Sequence, residues 1–235
     1  MYMESSDKNL TLHESEILRY LGYRRQKIPQ NIIDKILGVK KECEDFFTPK
    51  YIYEEYNLNK REDGIELIGT NLILKGNDIY NLLKECDRCI LMAVTLGNNV
   101  ERRTRFYEKV DLTKGLIFDA CATTCVEEVC DLLEEEIKAK YISEDEELTF
   151  RYSPGYGDLD LSIQKDFINV LNCEKRIGIK VSEHMILFPR KSVTAILGIK
   201  KYSGKKKEKS CINCNNYDRC AYRKEGIDFE CKRLY

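Results

Sequence analysis

The sequence of 235 residues lacks any long apolar stretch. Its longest uninterrupted run, Cys89 to Val94, falls far short of the roughly 20 residues that a helix needs to cross a bilayer. Met1 to Leu10 carry Glu4, Asp7 and Lys8 and lack the apolar core of a signal peptide. Net charge is also scarce: 39 Lys plus Arg against 40 Asp plus Glu leave -1 with the two His neutral. A chain so balanced is not drawn to nucleic acid by its overall field, so no nucleic-acid partner and no membrane are expected. Charged residues make up 34%, above the usual quarter or so, and a soluble cytoplasmic protein is the expectation. The length suits one large domain or two small ones and is ample for a continuous core.

Cysteine is abundant, but the pattern is not that of a stapled secreted domain. Eleven is odd, so any disulfide scheme leaves a thiol over. Cys89, Cys121, Cys125 and Cys130 lie within apolar segments, where a reduced thiol behaves as a small hydrophobe. Cys86-x2-Cys89 opens an apolar run with no thioredoxin-like pattern around it, which favours packing over redox chemistry.

Periodicity then orders the chain. Ile17 to Gly22 and Ile32 to Gly38 read as two short amphipathic helices, each ended by a Gly and separated by Pro29. Tyr51 to Leu74 is β-rich, broken by Asp63-Gly64 and Gly69. Asn77 or Asp78 can cap a short helix to Leu83, Cys89 to Val94 reads as a buried strand, and a polar helix follows Gly97 to about Tyr107. From Leu116 to about Tyr141, Phe118, Ala122, Cys125, Val126, Val129, Leu133 and Ile137 form one apolar stripe at helical spacing. Glu144 to Glu147 reads as a polar loop and Arg151 to Asp160 as a shaped loop. A helix is expected from Ile163 to Arg176, with strands at Met185 to Phe188 and Val193 to Ile199. The irregular alternation of strands and helices fits an α+β domain rather than repeating βαβ units.

The composition shifts after Ile199. Lys200, Lys201, Lys205, Lys206, Lys207 and Lys209 make a basic linker over 200–210, and 211–235 is a Cys-rich tail. Cys211, Cys214, Cys220 and Cys231 supply four thiolates, enough for a tetrahedral zinc or an iron–sulfur cluster; a metal-free reduced tail is the other reading. The lysine run suits a solvated linker, or an acidic docking surface on a partner.

Arg151-Tyr152-Ser153-Pro154-Gly155-Tyr156-Gly157 is the most informative heptapeptide. A guanidinium can hold a carboxylate by two parallel hydrogen bonds. Pro154 stiffens a turn, Gly155 permits close approach to the backbone, and Tyr156 offers an aromatic face with a hydroxyl. The set suits a small ligand with an amino-acid moiety; an Arg beside Pro-Gly also suits an ordinary surface loop with a salt bridge.

The string Arg-x-x-Pro-Gly-Tyr, followed by a helix with Gln164, then Ile177-Gly178-Ile179 and Pro189-x-x-Ser192-Val193, resembles the activation (reactivation) domain of cobalamin-dependent methionine synthase. The resemblance extends upstream through Leu18-Arg19-Tyr20-Leu21-Gly22, Thr95-Leu96-Gly97 and the helix carrying Glu127. It implies a twisted, mainly antiparallel sheet packed with helices, spanning residues 1–199. It also implies binding of S-adenosylmethionine and the rescue of oxidised cob(II)alamin. In that rescue, one electron from a flavodoxin-type or iron–sulfur donor and a methyl group from S-adenosylmethionine restore methylcobalamin. Arg151 matches the arginine that grips the methionyl carboxylate, and Pro154, Gly155 and Tyr156 match the loop lining the ligand. Glu127 matches an acidic residue near the ligand, Ser192 lies in the matched Pro-x-x-Ser, and Tyr202 is a loose match to a tyrosine after the last strand. Glu127 is preferred to Glu128 because its stripe holds the small Ala120, Thr123 and Cys130. The alternative for Glu127 is a solvated helix flank.

A donor already activated for methyl transfer needs positioning and exclusion of water rather than an acid or base, so binding residues and no proton-transfer catalyst are expected. Neither His13 nor His184 sits in the Asp-x-His-x-x-Gly motif of a cobalamin module, so both are expected to be structural or surface residues. The resemblance therefore implies a component of a methyltransferase rather than a complete synthase. It would act in trans on a cobalamin-binding methionine synthase or another corrinoid protein. A metal-binding interaction module without methyl-transfer activity is the reading from another class.

Overall fold

A computed structural model describes residues 2–4, 10–23 and 26–202. The basic run beyond Lys201 and the tail thiols Cys211, Cys214, Cys220 and Cys231 lie outside the described residues. The chain is α+β, as its pattern implies. β1 (Tyr2–Glu4) is followed by α1 (Glu14–Tyr20) and α2 (Gln30–Phe46), then β2 (Lys50–Arg61), β3 (Gly64–Leu67), β4 (Ile73–Leu74) and α3 (Asn77–Leu83). β5 (Cys86–Thr95) leads to α4 (Asn98–Val110), α5 (Leu112–Tyr141) and β6 (Glu146–Leu148). A single 3-10 turn (Leu161–Ile163) precedes α6 (Gln164–Val170), α7 (Cys173–Ile177), β7 (Lys180–Val181), β8 (Leu187–Phe188) and β9 (Ser192–Lys201).

Four elements depart from the sequence pattern, each for a physical reason. Gly38 lies inside α2 instead of ending it. A mid-helix Gly costs about 1 kcal/mol relative to Ala. Ile36, Val39 and Cys43, buried at helical spacing around it, offset that cost. The expected loop at Glu144–Glu147 includes strand β6, an edge strand whose Glu147 faces Lys200 of β9, with Nζ 2.9 Å from the carboxylate. Opposite charges directly across a ladder stabilise it, and β9 accordingly runs to Lys201, into the basic segment. The expected single helix from Ile163 to Arg176 is two, because Asn172 takes a left-handed φ of 53° between α6 and α7, a conformation that asparagine tolerates. On α6, Gln164, Phe167 and Ile168 are buried.

The chain divides into two compact units, Met1–Ile52 with Ala93–Leu133 and Asn172–Val193, and Tyr53–Met92 with Glu134–Leu171 and Thr194–Tyr235. In the first, β1 pairs antiparallel with the start of β2, Tyr2 opposite Ile52. Phe46 and Phe47 meet Phe118 of α5 edge-on. Glu42 of α2 accepts from Tyr107 and pairs with Lys114 at 2.9 Å and with Arg103. These hydrogen bonds hold its carboxyl below the ordinary range although burial opposes them. β7 and β8 form a two-stranded hairpin with His184 exposed in its turn, and His13, at the start of α1, is also exposed. Both histidines thus sit at the surface.

The second unit holds the main sheet, in the order β4-β3-β2-β5-β9-β6. The β2–β3, β3–β4 and β6–β9 pairs are antiparallel. β5, interior to that order, is buried from Cys89 onward, which explains its unbroken apolar composition. The apolar stripe of α5 is buried at every position from Phe118 to Ile137 that the periodicity selects. Among the described residues seven cysteines are free thiols, and all seven are buried. Burial pushes the Cys86 thiol up to about 11 and that of Cys125 to about 12, so neither is a thiolate near neutrality. No helix among the described residues is long and apolar enough to cross a membrane.

Candidate functional site

The Arg151–Asp160 segment is built onto β9 and α3 within the second unit. Thr149 donates its N–H to Gly198 at 2.8 Å and takes the Gly198 N–H on its hydroxyl at 2.8 Å. Tyr152 and Ile196 exchange backbone hydrogen bonds at 2.9 and 2.8 Å. The entry to the loop is therefore clamped on both sides of Arg151.

Beyond the clamp the chain turns. Tyr156 N–H reaches Ser153 carbonyl at 3.1 Å, with Pro154 and Gly155 between and Gly155 at φ 89°. That is the arrangement of a type II turn, in which Pro pre-sets the second residue and only Gly readily fills the third. Gly155 N–H meets Leu159 carbonyl, and Leu159 N–H meets Tyr156 carbonyl, each at 2.9 Å. Tyr152 donates its hydroxyl to Tyr156 carbonyl at 3.0 Å. Burial, with the Asp78 and Asp158 charges, pushes that phenol up to about 12, so it remains a donor. Gly157, at φ 51°, has room for nothing larger: a Cβ there would lie 2.1 Å from Asp78 Oδ2 and 2.3 Å from the Tyr152 hydroxyl.

Asp158 closes the far side. Its carboxylate accepts the N–H groups of Asn77 at 2.6 Å and Asp78 at 3.0 Å, capping α3. Donation from those two amides lowers its pKa. Asp160 caps the following 3-10 turn through Ser162 N–H at 2.7 Å. Gln164, expected only as a helix residue, is buried and joined to Thr194 of β9 at 2.8 Å.

Arg151 itself is buried, 6% exposed, and so is Glu134 at 5%. Arg151 Nη1 lies 3.6 Å from Glu134 Oε2, while Glu134 Oε1 lies 3.3 Å from Lys138 one turn along α5. A charge-assisted hydrogen bond spans about 2.7–2.9 Å, so this Nη1–Oε2 contact is Coulombic rather than a tight fork. Glu134 was not singled out by the sequence pattern, although a signal existed. It stands on the buried stripe, between Cys130 and Ile137 at helical spacing, where a carboxylate needs a cation.

The other residues expected at the site are distributed as follows. Pro154 is buried, Gly155 is exposed and Tyr156 is half-buried in the same loop. Tyr202, 46% exposed, donates its N–H to Asp145 carbonyl at 2.7 Å. Glu127 and Ser192 belong to the first unit. Glu127 and Glu128 are both half-buried on α5, so exposure does not separate them; Ala120 and Cys130 on the Glu127 flank are buried, as expected. Ser192 Oγ donates to Pro189 carbonyl at 2.7 Å and lies 2.8 Å from Thr95 Oγ1. Next to it, Lys191 pairs with Asp119 at 2.9 Å and donates to Thr123 at 2.8 Å. No group of His, Cys, Asp and Glu among the described residues is arranged to hold a metal ion.

A family model described as the activation domain of vitamin B12 dependent methionine synthase matches residues 80–205, more than half of the chain. The matched segment includes the whole Arg151–Asp160 loop. Among solved structures, the fold is similar to a crystal structure of the MetH reactivation domain bound to AdoHcy. The TM-score is 0.60 at 14% identity, over 84% of this chain and 77% of that one. No curated protein matches the chain.

Proposed function

Because the chain belongs to the family of vitamin B12 dependent methionine synthase activation domains, we propose that it binds S-adenosylmethionine and supports reductive methylation of cob(II)alamin. The corrinoid is carried by a separate cobalamin-binding methionine synthase. The observation that carries this reading is the buried Arg151 beside a Pro-Gly turn braced at both ends, inside the matched segment.

The donor set fits the amino-acid end of such a ligand. A guanidinium suits its carboxylate, an acidic side chain suits its ammonium, and a Gly at the turn allows backbone approach. Arg151 binds, and Pro154, Gly155 and Tyr156 shape the wall beside it. Glu127, Ser192 and Tyr202 are assigned to the same ligand on the strength of the family resemblance. The bound cosubstrate supplies an already activated methyl group. The chain's residues therefore orient and exclude water, and none is assigned a proton transfer.

The MetH reactivation domain was solved with AdoHcy, the demethylated form of the proposed ligand, which supports the same assignment. The ligand-binding part is assigned to residues 1–199 with Lys200 and Lys201, which complete β9, the basic residues that follow to a linker, and 211–235 to a tail whose Cys211, Cys214, Cys220 and Cys231 hold zinc or an iron–sulfur cluster. Iron and zinc analysis after anaerobic purification tests the tail; finding neither metal removes that assignment. The function is tested spectrally, with a cob(II)alamin-loaded synthase, a flavodoxin-type or iron–sulfur reductant and S-adenosylmethionine. Methylcobalamin should accumulate only when this protein is added. No acceleration with any corrinoid partner overturns the reading.

A further inference from the structure

We propose that Lys191 is a positioning residue for the ligand: its ammonium ties the Pro189-x-x-Ser192 segment to the face of α5 that carries Glu127, and so fixes the spacing of two side chains assigned to the ligand. The proposal rests on the S-adenosylmethionine reading and extends it to a residue outside the contacts assigned above.

All the residues involved lie in the first unit. Lys191 Nζ lies 2.9 Å from Asp119 Oδ1 and 2.8 Å from Thr123 Oγ1. The Thr123 hydroxyl donates to Asp119 carbonyl at 2.9 Å, so its lone pairs are left to accept from the ammonium. Asp119, Thr123 and Glu127 recur every four residues of α5 and therefore share one face of that helix.

The backbone of the segment is tied elsewhere. Leu96 N–H donates to Lys191 carbonyl at 3.0 Å, and Arg190 N–H donates to Glu101 at 3.4 Å. Ser192 Oγ lies 2.8 Å from Thr95 Oγ1. These contacts hold the main chain to the end of β5 and the start of α4, whereas the Lys191 side chain reaches across to α5.

The grip acts on geometry more than on stability. The Lys191 side chain is 20% exposed and that of Asp119 49%, and an ion pair so open to water adds little to the fold. A flexible four-carbon stem held at two points of a rigid helix does set register, however. Ser192, one residue along, then stands at a fixed spacing from Glu127 before the ligand arrives, and binding need not order the loop.

Calorimetry with S-adenosylhomocysteine, read beside a thermal melt, tests this. Lys191→Met keeps the apolar stem and removes the ammonium. It should weaken binding about fivefold or more, on the scale of coupled neighbours. Its melting temperature should stay within about 2 °C of wild type. Lys191→Arg, which keeps the charge and the donors, should bind within about twofold of wild type. In a Ser192→Ala background, Lys191→Met should have little further effect, because it acts through the placement of Ser192. Undiminished binding by Lys191→Met, or the same loss in the Ser192→Ala background, overturns the proposal. So does a loss that comes with a lower melting temperature and that arginine does not restore, since Lys191 is then structural. Should Lys191→Met not fold, Asp119→Asn removes the same pairing from the helix side, and wild-type affinity in that variant is equally fatal. Wild-type protein that binds while Lys191→Met binds equally well sinks this inference alone; wild-type protein that does not bind sinks the S-adenosylmethionine reading and this inference with it.

Discussion

The Asp158 carboxylate receives the Asn77 backbone N–H at 2.6 Å across 81 residues of sequence, and so the candidate ligand loop doubles as the N-cap of α3. A short polar loop and a seven-residue helix thereby stabilise each other. Neither has its own cap: the residue before α3 is Gly76, whose φ of 138° and closeness to Asp158 leave no place for a side chain.

Replacing Asp158 by Asn should therefore loosen both partners together. Amide exchange at Asn77 and Asp78 should speed up, and ligand binding should weaken, while the rest of the sheet keeps its protection. The native pKa of Asp158 lies below its ordinary value, because the Asp78 and Asn77 amides donate to its ionised form. Its stabilisation is complete above the ordinary aspartate range and is lost as pH falls through the lowered native value. An Asp158→Asn protein whose loop amides exchange like wild type would refute the coupling.

Acid should act on a second point of the same unit. Arg88, then Ser143, donate to Glu146 and hold its carboxyl at about 2 against an ordinary 4.5. A depressed carboxylate stabilises the fold above its unfolded pKa and ceases to do so as pH drops through the folded one. Melting temperature should consequently fall between about pH 4.5 and 2, less steeply in Glu146→Gln. Parallel pH profiles for the two proteins would show that the pairing contributes nothing.

Gly157→Ala should be costly. The backbone there is left-handed, and a methyl group would collide with the Asp78 carboxylate and the Tyr152 hydroxyl. Strain and overpacking of this kind cost about 1–3 kcal/mol, read as a lower urea midpoint at unchanged slope. An unshifted midpoint would mean that the loop can relax without loss.

Glu134→Ala should destabilise, by at most about 3–5 kcal/mol, because the buried Arg151 guanidinium loses a counter-charge 3.6 Å away. Glu134→Gln should cost less, since the amide keeps the side-chain volume and a dipole beside Arg151 and leaves no cavity. Urea denaturation of both variants checks the order; equal stability of Glu134→Ala and wild type would contradict the buried pairing of Arg151.

The seven buried thiols make a chemical prediction. Native protein treated with iodoacetamide should leave these seven unmodified, and all eleven should react after unfolding. Rapid native labelling of Cys43, whose thiol the Cys121 hydrogen bond and then burial push well up, would contradict its placement.

The elements legible in the sequence are those specified by one dominant local signal. The apolar stripe of α5 required no tertiary knowledge, because it repeats at helical spacing over many turns, and the unbroken run from Cys89 to Val94 in β5 is too short for a core helix. The Pro-Gly turn was likewise local: type II geometry follows from Pro154 and Gly155. What stayed hidden depended on partners distant in sequence. Strand β6 looks like a polar loop until Lys200 stands opposite Glu147. The N-cap of α3 comes from Asp158, and no inspection of Asn77 or Asp78 reveals it. Glu134 was overlooked because a carboxylate is ordinarily read as the solvated side of a helix, and its cation lies on a separate element. Gly38 misled in the opposite sense, since a glycine near the end of a short periodic run resembles a terminus until the buried residues on both sides of it are known.

The central claim is that Arg151 grips the amino-acid end of S-adenosylmethionine, and titration calorimetry with S-adenosylhomocysteine tests it most directly. Wild-type protein should bind the probe, and Arg151→Ala should bind it more weakly by about 1.5–3 kcal/mol, the value of a lost charged hydrogen bond. Wild-type protein that evolves no heat of binding, or an Arg151→Ala variant that binds as tightly as wild type, would contradict the account.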